Sequence, residues 1–587
     1  MSAAMPTDER STTTAARALR AARHHDRHTP TEERSATVAR GTKPMSHDAP
    51  ATHRSTPSTS SGAAPPRAPS ADRPRATRAR CLLALAALAA AACGNTAPLG
   101  PPPVAPSPVA PPPPIAQPAP VRETPDAAFR ETPPAAQGSV SFTPPKIESM
   151  TLKNGVKVLL VQRHEFPLVS VRVAVKGGAG DYASERPGVL SFVGAMLEQG
   201  TAKRSALQIS DDYEAIGAQH GAWIDWDGGG ATVKVLVREL DKGLSILSEV
   251  VTTPTFPEAE VTRLKSRRLA ALALEKTNPS AMATNAVGAA LYGRAHPYGN
   301  PLSGREEDAK KITRDELVRA YKRVFVPRNA TIVVAGDVTR EAILPKLQAT
   351  FGGWRGAGGA PPAPPNVAKA KADAPRLIVV DRPNAPQTQV FLAEPGVSMS
   401  TPDRDALAVM NAILGGVFSS RINMNLREAH AYTYGAYSRF SMRHGPGPFL
   451  AGGAMVAEKT APAVHELFME IEAMLSRDVT PDELTDAKEH LKLALPSRFE
   501  TVGDVTDAVA DIAVYGLPLD EFATREKRID AVTAADVKRV AAAHIHARDL
   551  RVVVVGDRAK ISPELEALHL GTIEARDPYG DVVAPPK

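Results

Sequence analysis

Cysteine is almost absent: Cys81 and Cys93 are the two in 587 residues. That excludes a disulfide framework, and a mature chain cut between them would keep a single thiol. Long apolar runs are missing too. The stretch Cys81–Ala92 is apolar over twelve residues, short of the roughly 20 that cross a bilayer as a helix. An excess of basic charge is missing beyond the first 80 positions. The formal net charge is +6, but residues 1–80 hold thirteen Arg and one Lys against seven Asp plus Glu. The rest of the chain is therefore close to neutral and carries no nucleic-acid footprint.

What the N-terminal part does contain reads as export and tethering. Residues 1–80 dilute their arginines with Ser, Thr, Pro and Ala, a composition that cannot bury a core and predicts disorder. A leader of that length before a signal segment is unusual, and a later translation start, at Met45, is the expectation. Arg73, Arg75, Arg78 and Arg80 precede the apolar run, as in the n- and h-regions of a signal peptide. Residues 81–93 end in Ala90-Ala91-Ala92-Cys93-Gly94, which resembles a bacterial lipobox, although Ala90 stands where leucine is usual. Lipidation at Cys93 would block the lone thiol, and two or more acyl chains anchor stably. Gly94 after the cysteine lacks the aspartate associated with inner-membrane retention, so a periplasm-facing lipoprotein of the outer membrane is expected. Residues 94–145, with Pro101-Pro102-Pro103 and Pro111–Pro114, predict a semi-rigid tether of about 3 Å per residue.

From Lys146 onward strands and helices alternate, and their order recurs about 220 residues later. Met150–Val161 reads as a hairpin around Asn154-Gly155. Thr313-Arg314-Asp315-Glu316 opens a helix with a capping box, and a strand over 331–335 runs into Gly336-Asp337. Thr533-Ala534-Ala535-Asp536, a strand over 551–555 and Gly556-Asp557 repeat that order. Phe256-Pro257-Glu258 is echoed by Thr480-Pro481-Asp482-Glu483, and Tyr292-Gly293 by Tyr515-Gly516. A duplicated α+β domain follows: halves at 146–355 and 375–570, the Ala/Gly/Pro-rich 356–374 as linker, and a tail at 571–587.

The first half carries Pro187-Gly188-Val189-Leu190-Ser191-Phe192-Val193-Gly194-Ala195-Met196-Leu197-Glu198-Gln199-Gly200-Thr201. This stretch resembles the inverted zinc helix of the insulinase (pitrilysin) metallopeptidases, where His-x-x-Glu-His lies between a Gly-Leu start and a Leu-x-x-Gly-Thr end. In that helix two histidines hold zinc and the glutamate activates its water. The matching ligand positions are Ser191 and Ala195, the base position is Gly194, and the third ligand, placed by Asn278-Pro279, falls on Ala271. None of the four side chains can do that work. The resemblance implies an α+β protein of two homologous α/β sandwich domains, the mitochondrial processing peptidase-like metallohydrolase fold, facing each other across a cleft. If fold and alignment hold, Ser191→His, Gly194→Glu, Ala195→His and Ala271→Glu together are expected to create zinc affinity.

The second half keeps more of the pattern. Leu414-Gly415-Gly416-Val417-Phe418-Ser419-Ser420-Arg421-Ile422, then Leu426-Arg427-Glu428 and Tyr434, resembles the family's segment whose arginine and tyrosine hold substrate backbone near the zinc. Carried over, these are Arg427 and Tyr434, a guanidinium fork and a phenol suited to peptide carbonyls. Gly221-Ala222 stands at the substrate-pairing strand edge where the family has Asn-Ala. His296-Pro297-Tyr298-Gly299 reads as a structural turn, and Asp486-x-x-Glu489-His490 as a solvated helix face. The resemblance implies a catalytically silent subunit with no cofactor of its own, completing a partner chain that carries zinc and the intact motif. The alternatives are a lipid-tethered peptide-binding scaffold without hydrolysis, and a peptidase with unfamiliar ligands.

Overall fold

The computed structural model describes residues 142–367 and 376–584. The basic leader, the apolar run, Cys93, nearly all of the tether and residues 368–374 of the linker lie outside them. No helix among the described residues is long and apolar enough to cross a membrane.

Two six-stranded sheets organise the chain. The first contains β1 (Glu148–Thr151), β2 (Lys157–Gln162), β3 (Leu168–Lys176), β4 (Gln219–Ile224), β5 (Gly228–Leu236) and β6 (Ala330–Gly336), in the order β1-β2-β6-β3-β5-β4. The second contains β7 (Leu377–Asp381), β8 (Gln387–Pro395), β9 (Thr433–Phe440), β10 (Pro448–Val456), β11 (Arg551–Gly556) and β12 (Ile573–Arg576), in the order β12-β7-β11-β8-β10-β9. Five strands correspond in chain order and direction: β2 is parallel to β6 as β7 is to β11, and both sheets end on an edge strand, β4 or β9. The outermost strand differs. β1 is antiparallel to β2 and comes from the start of the first half, whereas β12 is parallel to β7 and comes from the chain's end. The second sheet thus extends past residue 570 into the stretch that composition alone marks as a tail.

The central strands are apolar at successive positions because both faces of each sheet are covered. Val158 and Leu160 of β2 with Ile332 and Val334 of β6 face the first half's own helices. Leu159, Val161, Val333 and Ala335 face the other way, onto a helix of the second half. Four helices matter to the site: α1 (Val189–Met196), α2 (Glu258–Glu275), α3 (Pro279–Tyr292) and α4 (Val502–Tyr515). Val505, Val509 and Ile512 of α4 cover the first sheet. Reciprocally, Met282, Ala283, Ala286 and Val287 of α3 cover the second sheet at Ile378, Val380, Phe391, Val553 and Val555. The halves therefore exchange a helix each. Both exchanged helices have strong local stops: Thr501 and Asp504 form a capping box at the start of α4 and Gly516 ends it at φ 67°, while Asn278 caps α3 with Pro279 at its first position and Gly293 follows at φ 70°.

Polar contacts reinforce the exchange. The His444 imidazole faces the Asp181 carboxylate through Nδ1 at 3.0 Å and the Val514 carbonyl through Nε2 at 3.0 Å. Asp227 accepts from the His444 amide at 2.8 Å and from the Tyr515 hydroxyl at 2.9 Å. Burial pulls the imidazole down, but the hydrogen bond and charge of Asp181 and the Val514 carbonyl outweigh it and hold His444 above its ordinary value. Beyond β12 the chain returns to the first half as a strap. Asp581 pairs with Arg294 at 2.7 Å and Arg305 at 3.3 Å, and Arg294 also donates to the Tyr579 carbonyl at 2.7 Å. The described part of the linker is tied down as well: the Gly359 carbonyl accepts from Asn329 and the Pro365 carbonyl from His296, both at 3.1 Å.

Two outcomes are expected. Residues 142–367 and 376–584 produced separately will stay insoluble or unfolded by circular dichroism, and co-produced they will copurify as a folded pair, because each sheet lacks one cover without the other half. His444 stabilises most when charged. Its folded pKa lies above its unfolded one, so its contribution is complete below about pH 6.5 and is lost as pH rises through the folded value. Urea unfolding at pH 6 and pH 8.5 should show that fall, and His444→Gln should lower stability at pH 6 by about 2 kcal/mol and flatten the dependence above it.

Candidate functional site

At the start of α1 the backbone turns on Gly188, at φ 87°, and no side chain caps the helix. An arginine from α2 does the holding. Arg268 Nη1 donates to the Gly188 carbonyl at 2.7 Å, to Ser191 Oγ at 3.1 Å and to the Ser303 carbonyl at 3.4 Å. Ser191 Oγ in turn donates within reach of the Leu302 carbonyl at 2.9 Å and the Gly188 carbonyl at 3.1 Å. The guanidinium lies 4.6 Å from the Phe192 ring centroid. Burial pushes Arg268 down to about 10, against the weaker pull of Glu275. At the first ligand position the structure thus places a hydroxyl already committed to carbonyls, with a cation beside it.

The base position is closed by backbone. Gly194 is buried against β4, and a Cβ there would overlap the Trp223–Ile224 peptide. Ala195 and Ala271 are exposed and bring no donor atom. These residues do not fit a zinc ion, and Arg268 would repel one. The expectation that four substitutions alone create zinc affinity is corrected accordingly: glutamate at 194 has nowhere to place its first carbon, and the arginine remains.

In the second half, Arg427 lies in a π-helical turn, Met424–Ala429, and Tyr434 is the second residue of β9. Tyr434 is 90% exposed. Arg427 stacks at 4.4 Å on Phe418, with Nη1 3.2 Å from Glu428. No hydrogen bond or ring contact among the described residues joins Arg427 to Tyr434. Around them the motif is structural. Asn423 donates to the Phe418 carbonyl at 2.7 Å and accepts from the Ala436 amide at 3.2 Å. Arg421 grips Glu483 through two bonds of 2.6 and 2.8 Å and, with burial opposing, holds that carboxylate at about 2. Gly415, about 220 residues after Gly194, packs in the same way: a Cβ there would overlap Ser438 of β9.

Other sequence candidates fall outside this chemistry. The His296 ring accepts from the Tyr298 amide and donates to the Pro365 carbonyl, each at 3.1 Å, so it pins a turn. Gly221 and Ala222 lie on the free edge strand β4. Asp486, Glu489 and His490 are exposed on the helix Pro481–Leu493. Sequence reasoning missed two arginines. Arg268 sits one turn before Ala271, a spacing that could have revealed it. Arg443 has no local signal: its guanidinium lies 4.5 Å from Trp226 and 4.6 Å from Tyr298, two first-half rings brought to it by the fold. Beside it a cavity of about 420 Å³ opens between the halves, lined by residues of α3, the loop to Ser303, Glu275, Arg439 and Arg443.

Because Gly194 abuts backbone, Gly194→Ala is expected to cost about 2 to 3 kcal/mol through overpacking, read as a lowered urea midpoint. Equilibrium dialysis of the quadruple ligand variant is expected to show no stoichiometric zinc.

Comparison with known proteins agrees with this geometry. The model for the insulinase family (peptidase family M16) matches residues 157–306, and the model described as peptidase M16 inactive domain matches 311–491. The chain is 25% identical over 395 residues to an uncharacterized zinc protease, YmxG, of Bacillus subtilis, covering 67% of this chain and 94% of that one. It is 22% identical over 409 residues to a non-peptidase homolog, YmxG, of Helicobacter pylori, covering 69% and 93%. Among solved structures, a peptidase M16 inactive domain from Pseudomonas fluorescens superposes with a TM-score of 0.64 at 26% identity, over 70% of this chain and 98% of that chain. With both family models matched in succession and all four metal and base positions emptied, the chain belongs to the insulinase (M16) family as an inactive homologue.

Proposed function

We propose that this chain is the catalytically silent subunit of a two-chain insulinase-type zinc peptidase, anchored by lipid at Cys93. Zinc and the His-x-x-Glu-His motif would reside on the partner chain, and Arg427 and Tyr434 would hold substrate backbone for it. One observation carries the reading: the base position is closed against β4 at Gly194 and the first ligand position is taken up by the Ser191–Arg268 contact, while Tyr434 stands almost fully exposed on an edge strand, its side chain without a hydrogen bond among the described residues. A phenol of that kind costs solvation nothing to keep free and gains when it meets a carbonyl.

A second reading, a tethered peptide-binding scaffold without hydrolysis, is favoured by the cavity between the halves. Reconstitution separates the two. The full-length chain mixed with an M16 protein of the same genome that keeps the motif should cleave an unstructured peptide, and neither should do so alone. Arg427→Ala with Tyr434→Phe is expected to lower kcat/KM about 100-fold without dissolving the complex on gel filtration. No cleavage with any such partner leaves the scaffold reading. For the anchor, mass spectrometry of the mature N-terminus should find acylated Cys93; an unmodified peptide running through Cys93 rules the lipid out.

A further inference from the structure

Two arginines, Arg439 and Arg443, line the cavity where the halves meet, and a third, Arg268, reaches its wall at the Ser303 carbonyl; none forms a salt bridge among the described residues. Arg443 lies against two first-half rings, Trp226 at 4.5 Å and Tyr298 at 4.6 Å, which themselves meet edge to face at 5.4 Å, and its guanidinium makes no hydrogen bond among the described residues. Arg439, exposed on β9, has its guanidinium 5.7 Å from the Tyr437 ring and makes no side-chain hydrogen bond or ion pair among the described residues. Arg268 spends Nη1 on carbonyls and a hydroxyl, one of them the Ser303 carbonyl in the cavity wall. Against these stands one carboxylate in the lining, Glu275, which burial raises above its ordinary value. The acids that line a neighbouring cavity with Arg443 are committed elsewhere: Asp227 to His444 and Tyr515, Asp225 to the Trp226 amide, and Asp511 to Arg498.

Rings packed against one side of a guanidinium leave its remaining edge free, with N–H donors in the fork that matches a carboxylate. They also strip water from it, which strengthens an ion pair made there. We propose that the cavity between the halves recognises a carboxylate of a bound peptide, with Arg443 and Arg439 as its ligands and Arg268 adding positive potential from the emptied metal position. This rests on the peptide-holding reading above and adds the chemical feature selected. The strand gives the spacing: Tyr434 to Arg439 is five positions along β9 with a register irregularity just after Tyr434, somewhat under the roughly 17 Å that five regular steps of about 3.3 Å would span. A peptide extended along that edge would present its carboxylate about five residues from the one beside Tyr434.

Fluorescence anisotropy of the full-length chain with N-terminally labelled ten-residue peptides tests it. One peptide ends in a free acid, one in the amide, and one carries the amide with an internal Glu in place of Gln. The acid, the internal Glu peptide, or both should bind at least tenfold tighter than the Gln amide, which also tells terminal from side-chain carboxylates. Arg443→Gln should reduce that preference below threefold. Arg439→Gln, at an exposed position, should reduce it in the same direction. Equal binding of all three peptides, or a preference unchanged in both variants, overturns the carboxylate site and leaves the peptide-holding reading standing. Absence of binding by every peptide overturns both.

Discussion

Everything in this molecule depends on the reciprocal exchange of α3 and α4. A sheet with two apolar faces cannot be left half covered, and each half brings helices enough for one face only. The second face is closed by the other half. At about 1.5 to 3 kcal/mol for each large side chain buried, Val505, Val509 and Ile512 on one side and Met282 and Val287 on the other weld the halves into one folding unit. The His444 cluster and the strap at Asp581 then add polar specificity to an association that apolar burial has already decided.

That weld explains why the space between the halves can serve as a site. A cavity between two domains on a loose hinge would open and close with every fluctuation. Here one wall is α3 itself, whose opposite face is buried in the second sheet, and the facing wall includes Arg439 and Arg443 from the end of β9 and the loop beyond it. The aromatic pair that flanks Arg443 belongs to the first half, so the arginine is positioned only when both halves are folded together.

Much of this was legible in the sequence, because local rules and global fold agree there. The 220-residue recurrence, the capping boxes at Thr313 and Thr533, and the unbroken apolar runs of β6 and β11 all point to a duplicated α+β architecture. The emptied ligand positions were readable for the same reason: a helix with a known frame exposes each substitution. Helix exchange was not readable, since an apolar helical face does not say which sheet it covers. Nor was the role of β12, whose four residues give too short a pattern to tell from a tail. The arginines escaped notice for a physical reason as well. Arg443 draws its environment from residues more than 140 positions away, and Arg268 matters only because α2 lies across the start of α1.

Gly194 and Gly415 have one more implication. In each half a glycine sets how far the buried helix stands from its edge strand. At both places the gap is shut: a Cβ on Gly194 would meet the Trp223–Ile224 peptide and one on Gly415 would meet Ser438, so the two halves are alike here. A gap of that kind closes easily, by removing side-chain atoms, and reopens only if helix, strand and the arginine beside them all move at once. Metal chemistry at this helix is therefore not one substitution away: backbone, strand and arginine would have to move together.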